Sequence, residues 1–416
     1  MRNRGNSFRV AWIIALIALL TLAIAACGDD DDDAKGGATK TTGFSDAGYK
    51  SAGFKSVTVD GAVKIGISSA LSGDVKGLGE PIADSAESAG EGVTIKGHKV
   101  EFVREDDLCS AEGGPAAADR LIKANVVAVV GPICSGGTRA SLAAYDEAGI
   151  THISPSATAG NLTAPTRTEG PYVTFFRVPV LNADEAKAQA DFAKNTLKAK
   201  SAFVVFDTDD YGKDLSNSFM ESFKAGGGKI VGSPAGYEKK QSDFKAVISS
   251  IKAAKPDLVY LAGFYGEATP FLQQLRAEGD LKNTPFMGGD GVKSEELISG
   301  AKDAAEGAYL ALPGDHGTDF DKYAATYKSK FKGDGNTATF GPEAYDAANI
   351  ILKAIDKVAK DSGGKLTIDM KELNAAIKAS EIDGATGKIK FGSNGNRAGT
   401  VVKFFQVKSG KYVEVK

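Results

Sequence analysis

Short apolar runs alternate with amphipathic stretches along almost the whole chain beyond residue 62, and this alternation restricts the fold more than any other feature. Residues 62–68, 99–106, 126–130 and 150–155 read as strands. Between them, a stretch opening at Gly79-Glu-Pro81 and stretches at 115–124 and 138–148 read as helices, the last ended by Gly149. Pro81 is expected in the first helical turn, where its missing N–H costs nothing. The pattern restarts after Arg177. Helices are expected at 183–199, 211–225, 243–254 and 267–277, and strands at 201–207, 229–233, 257–263 and 285–289. Strand–helix–strand units of this length imply a parallel sheet covered on both faces. Two such series imply two doubly wound Rossmann-like lobes of α/β class. Helices at 319–331, 342–359 and 369–379 and a β-rich tail at 388–391, 401–407 and 412–415 complete the chain.

The N-terminus follows a different logic. Arg2, Arg4 and Arg9 flank an uncharged 17-residue run from Val10 to Ala26, closed by Ile24-Ala-Ala-Cys27. A basic start, a short apolar core and small residues before a cleavage point describe a secretory signal peptide. A membrane span needs ~20 apolar residues, and this run is shorter. The cysteine after Ala-Ala resembles a bacterial lipobox, which makes Cys27 the expected lipidation site and residues 1–26 the removed leader. Residues 27–61 contain five consecutive aspartates and then Gly, Ser, Thr and Lys without a helical or strand period. Such composition cannot offset chain entropy by burial, so a disordered tether is expected there. Loss of the leader removes three arginines and no acid, taking the net charge from −3 to −6. No basic stripe remains for nucleic acid.

Cys109 and Cys134 are the other two cysteines. Exported cysteines usually pair, and a bridge here would close a 26-residue loop, worth roughly 3.5 kcal/mol in the chain-entropy model. Their spacing is not that of a CxxC redox motif, and a chain with three histidines (His98, His152, His316) offers no metal cluster. Nucleophilic catalysis is equally poorly served. There is no G-x-S-x-G elbow and no HExxH. Asp106 and Asp107 are adjacent on a strand and point to opposite faces, which suits caps or loop ligands better than a glycosidase pair. No enzyme activity, cofactor or metal is expected.

The loop Gly131-Pro-Ile-Cys-Ser-Gly-Gly-Thr138 is nearly a P-loop, but Gly137 stands where the phosphate-reading lysine would be. A glycine-rich turn from strand to helix offers backbone N–H groups and the helix dipole to an anion. Without lysine a carboxylate fits better than a polyphosphate, and Ser135 adds a hydroxyl donor.

The series LSG, DDLC, GPICSGGT, SPSATAGNLT, DTDDYG, GFYGE, FMGGDGV, TFGPEAYDAAN and GATGKIKF, in that order, resembles the leucine/isoleucine/valine-binding protein family. These are type I periplasmic receptors of branched-chain amino-acid ABC importers. The resemblance spans about residues 62–416. It implies two lobes joined by a three-strand hinge in a Venus-flytrap arrangement, with lobe one at 62–180 and 313–385 and lobe two at 181–312 and 386–416. It also implies a monomer, held to the membrane through its lipid only, that closes on a small apolar amino acid and presents it to an ABC permease. The family's carboxylate site falls on Ser135 and Thr158, with backbone N–H groups near Ser156. Its acid for the ligand amine falls on Asp290, where the best-known members have glutamate. Its side-chain pocket falls on Leu78, Ile133, Tyr211, Phe264 and Phe340. Leu78 and Phe264 replace tyrosines and Ser156 an alanine, which changes the polarity pattern of the pocket. The alternative within this fold is a sensor of an amide or other small polar solute that feeds a signalling partner. Individually, Ser135 and Thr158 also suit helix caps, Asp290 a turn, and Tyr211 and Phe340 a core.

Overall fold

The computed structural model describes residues 52–163, 172–331, 338–399 and 401–415. The leader and Cys27 lie outside the described residues. Two large sheets carry the fold. The first has the strand order Thr94–Ile95, His98–Asp106, Val63–Ser69, Ala128–Val130, Thr151–Ser154, Phe175–Arg177, parallel except at its first pair. The second has eight strands. Its parallel centre is Ser201–Asp207, Leu258–Ala262, Phe286–Gly288 and Tyr309–Pro313, and the antiparallel pair Val402–Lys408 and Lys411–Val415 closes one edge. Central strands read as continuous apolar runs because both faces are covered: Val63, Ile65 and Ile67, and all of Leu258–Ala262, have no exposed surface.

The chain crosses between the sheets three times, after Arg177, after Pro313 and before Val402. The crossovers bond to one another. Arg177 N donates to Gly395 O at 3.0 Å, its Nε to Asn396 Oδ1 at 2.7 Å, and Gly314 N to Val401 O at 2.8 Å. This is the three-strand hinge joining two doubly wound lobes.

Local sequence explains most boundaries. Helix Ser135–Ala148 ends at Gly149, whose φ of 67° lies in the left-handed region glycine favours. Helix Asp210–Ala225 is capped by the Asp209 carboxylate, and Pro342 sits in the first turn of helix Gly341–Val358. Two expectations need correction. Helix Lys76–Ser88 starts a turn earlier than expected, because Gly73 and Val75 carbonyls accept its first N–H groups, so Pro81 lies inside it. The tether ends sooner than expected. Ser56–Val59 is a strand paired antiparallel with Lys365–Asp369, and Gly53 N donates to Asp146 O at 2.8 Å.

Candidate functional site

Most residues singled out by sequence follow the carboxyl ends of central strands of both sheets, the usual binding crevice of open parallel sheets, whereas Phe340 precedes helix Gly341–Val358. On the first lobe, strand Ala128–Val130 runs into the Gly131 loop. Gly131 has φ +113°, and a Cβ there would lie 2.1 Å from Ser68 O, so only glycine fits. The loop delivers Ser135 to the start of helix Ser135–Ala148, whose N-terminus has no side-chain cap. Cys134, beside it, is bonded to Cys109 with Cα atoms 5.1 Å apart. The disulfide ties this loop to the one after strand His98–Asp106.

A second loop, after strand Thr151–Ser154, docks on the first. Ser156 Oγ donates to Ile133 O at 2.7 Å, and Ser135 Oγ accepts from Ala159 N at 3.2 Å. The Ser156 hydroxyl is thus committed to scaffolding, whereas the Ser135 proton is left to donate. Arg177, with no exposed surface, donates through Nη1 to Ala157 O (3.0 Å) and Ala159 O (2.7 Å), the carbonyls on either side of Thr158. Thr158 is fully buried and its hydroxyl has no partner among the described residues. Neither Ser135 nor Thr158 caps a helix: the N-caps of Ser135–Ala148 and Asn182–Asn195 are Cys134 and Leu181.

The second lobe presents the opposite chemistry. Asp290 follows strand Phe286–Gly288 and is 2% exposed. Its Oδ1 accepts the Tyr211 hydroxyl, and that hydroxyl accepts from Gly291 N at 3.1 Å. Its Oδ2 has no partner. Glu185, fully buried on helix Asn182–Asn195, accepts Asp290 N at 3.1 Å. Burial, then the neighbouring Asp290 carboxyl, push the Glu185 carboxyl well above its ordinary range, and burial also raises Asp290. Tyr211 belongs to the acid network as much as to an apolar wall, although its ring also lies 5.1 Å from that of Phe264.

Leu78, Ile133, Ser135, Ser156, Tyr211, Phe264, Asp290 and Phe340 line one narrow, tightly shut cavity of about 10 Å³ between these faces, together with Cys134 and Gly291. Phe340 turns into it from a left-handed backbone conformation (φ 60°), uncommon for a bulky residue and a mark of a position held for its side chain. Thr158 is not among the lining residues. Roomier clefts open around Lys293, Phe405 and Tyr412 and around Val57, Ile122 and Met370, but neither lies at strand ends of both sheets. The lobes also touch directly. Arg139 pairs with Asp210 at 2.7 Å, Gly77 N donates to Tyr265 Oη at 2.9 Å, and Gly160 N to Asp214 Oδ2 at 2.9 Å. Gly136 faces Asp209 so closely that a Cβ would lie 2.4 Å from its Oδ1.

Residues 62–411 match the family described as periplasmic binding proteins. The chain belongs to that family. The Leu/Ile/Val-binding protein of Escherichia coli K12 is 30% identical over 274 residues, covering 64% of this receptor and 72% of its relative. A leucine-binding protein from Thermotoga maritima superposes with a TM-score of 0.76 at 26% identity, covering 85% of the receptor and 98% of that chain. A branched-chain amino-acid transporter substrate-binding protein from Streptococcus pneumoniae, solved with isoleucine, gives 0.74 at 25% identity, covering 85% and 100%. These relatives are binding proteins and not enzymes.

Two residues that shape the receptor's site escaped the sequence reading. Glu185 sits on a helix 105 residues before the acid it touches, and its sequence neighbourhood is that of a solvated helix. Arg177 carried a signal, since it is the lone charge in the apolar run Phe175-Phe-Arg-Val-Pro-Val180. Asp106 and Asp107 do serve as loop ligands: Asp106 accepts Leu71 N and Leu108 N, and Asp107 accepts Cys109 N and the Ser68 hydroxyl. His152 is packed between the Tyr145 and Phe175 rings, and burial pushes its imidazole down to about 3.

Proposed function

We propose that the receptor captures a small apolar amino acid between its lobes. Ser135, Thr158 and the backbone N–H groups around Ser156 take the α-carboxylate, and Asp290 takes the α-ammonium. Leu78, Ile133, Phe264 and Phe340 surround the side chain, with the Tyr211 ring beside them. One observation carries this reading. Two buried polar groups on strand-end loops of opposite lobes have no partner among the described residues: the Thr158 hydroxyl, off the cavity lining, and Asp290 Oδ2, in it. Leaving such a group unpaired costs roughly 1–3 kcal/mol, and a zwitterion offsets both penalties at once. The relatives named for leucine, isoleucine and valine point to the same ligand class.

Lobe one comprises 62–180 and 313–385, joined by Ser56–Val59 and Gly387–Lys390 through their strand pairing, and lobe two 181–312 and the rest of 386–416. A ligand that touches both lobes binds the closed arrangement better than the open one and shifts the population towards it. The closed receptor, a monomer anchored through lipid on Cys27, presents the amino acid to an ABC permease at the outer face of the membrane. Calorimetric titration with leucine, isoleucine, valine, alanine, acetamide and urea tests the reading. Saturable binding of a branched-chain amino acid is expected. Binding of the amides alone would move the receptor to the sensor class.

A further inference from the structure

Directly behind the amine subsite stands an ionisable side chain to which ligand capture assigns no role. The Glu185 carboxyl is fully buried. Its Oε1 accepts from Asp290 N at 3.1 Å and from Gln189 Nε2 at 2.8 Å. Gln189 is fixed in turn, because Tyr260 Oη donates to its Oε1 at 2.6 Å. Glu185 Oε2 finds no other donor, and neither does Asp290 Oδ2. The two carboxyls are neighbours, joined through the Asp290 N–H. Two ionised carboxylates offer each other only acceptors, so buried neighbours without a cation favour a proton on one of them. The groups facing the pair are the Tyr211 hydroxyl, Gln189, the Tyr260 hydroxyl and the Gly291 N–H, with the Glu343 carboxyl further off. Among the described residues, Glu185 Oε2 and Asp290 Oδ2 meet no lysine, arginine or histidine.

We propose that Glu185 is a carboxylic acid in the receptor at neutral pH, fixing the amine subsite at one negative charge. Of the two, Glu185 is the one to hold the proton. Asp290 also receives the Tyr211 hydroxyl, which stabilises its ionised form, whereas the Glu185 oxygens receive only neutral amide N–H groups. Two buried like charges in contact cannot both persist, and the proton belongs to the pair in that sense. The consequence for the ligand rests on the amino-acid reading above. One carboxylate faces one ammonium, so the occupied chamber is neutral. Glu185 is then a positioning residue: its Oε1 holds the Asp290 backbone.

The proposal separates from its opposite by a simple pair of variants. An acid-form Glu185 contributes shape and a donor, both of which glutamine supplies. An ionised Glu185 contributes charge, which glutamine lacks. Leucine affinity should fall about tenfold or more in Glu185→Leu and return to within about threefold of the wild type in Glu185→Gln. In the infrared, the full-length wild type at pH 7 should show the C=O stretch of a buried protonated carboxyl, and Glu185→Gln should lose that band. Circular dichroism of each variant guards against misfolding. A loss in Glu185→Gln as large as that in Asp290→Asn, or a wild-type spectrum with no protonated band that Glu185→Gln removes, overturns the proposal. If Asp290→Asn binds leucine unchanged, the amino-acid reading fails instead, and the infrared band still decides the state of Glu185.

Discussion

The two walls of the cleft handle charge in opposite ways. The wall built on the first sheet brings no ionisable side chain to the chamber; it offers the Ser135 hydroxyl and an uncapped helix start, with the Thr158 hydroxyl buried off the lining. The wall built on the second sheet brings the Asp290 carboxyl and a tyrosine, with the Glu185 carboxyl behind them. Fixed dipoles can receive a carboxylate without a buried cation, which would itself need desolvation and pairing. An ammonium has only donors and is held best by an anion, so the second wall must bury charge and lowers the cost by sharing a proton. The walls also differ in bracing. The first is tied by the Cys109–Cys134 disulfide and by Arg177, and the second by the hydrogen bonds around Asp290.

This contrast can be broken from either side, and the largest effect is expected from the brace. Replacing Cys109 and Cys134 together with serine should lower unfolding free energy by roughly 3.5 kcal/mol in denaturant titration. A change below about 1 kcal/mol would show that the first wall is rigid without its bridge. Next comes the donor set: Ser135→Ala with Thr158→Ala removes donors to a charged group, each worth roughly 1.5–3 kcal/mol. Affinity for a branched-chain amino acid should drop about ten- to a hundredfold or more, and wild-type affinity would place the anion site elsewhere. On the second wall, Asp290→Asn keeps the shape and deletes the charge. Amino-acid affinity should fall at least about tenfold, while a simple carboxylate should be almost indifferent.

The smallest predicted effect compares equivalent strand-end acids. Asp107 on the first lobe receives the Ser68 hydroxyl and Cys109 N, and burial pushes it up to about 6. Asp207 on the second lobe has an unpartnered Oδ2, and burial pushes it up to about 7. An acid whose folded value exceeds its unfolded value of about 3.9 binds its proton more tightly in the native state. Its contribution is therefore full below about pH 4 and lost as pH rises, through about 6 for Asp107 and about 7 for Asp207. Stability curves from pH 4 to 8 should flatten in both Asp→Asn variants, by on the order of 1 kcal/mol more in Asp207→Asn. Equal flattening would erase this difference between the lobes.

The sheets were legible because buried parallel strands are continuous apolar runs and their helices carry recognisable breaks such as Gly149. The site was legible for a related reason: strand-end loops concentrate glycine and hydroxyl residues, as in the Gly131–Thr138 loop. What stayed hidden depends on long-range contact. Ser56–Val59 alternates polar and apolar in a Lys- and Ser-rich stretch, and its partner lies some 310 residues on. Glu185 reads as a solvated helical acid until Asp290 is folded against it. Pro81 was misplaced because helix Lys76–Ser88 begins on the carbonyls of Gly73 and Val75, which no residue type announces.

The central claim is that each wall recognises one end of a zwitterion. Calorimetry on the wild-type receptor with leucine, with 4-methylpentanoate (leucine without its amine) and with leucinamide (without its carboxylate) tests it most directly. The account predicts that leucine binds at least about tenfold tighter than either analogue. Equal affinity for leucine and 4-methylpentanoate would contradict it, because the acids of the second wall would then be facing no ammonium.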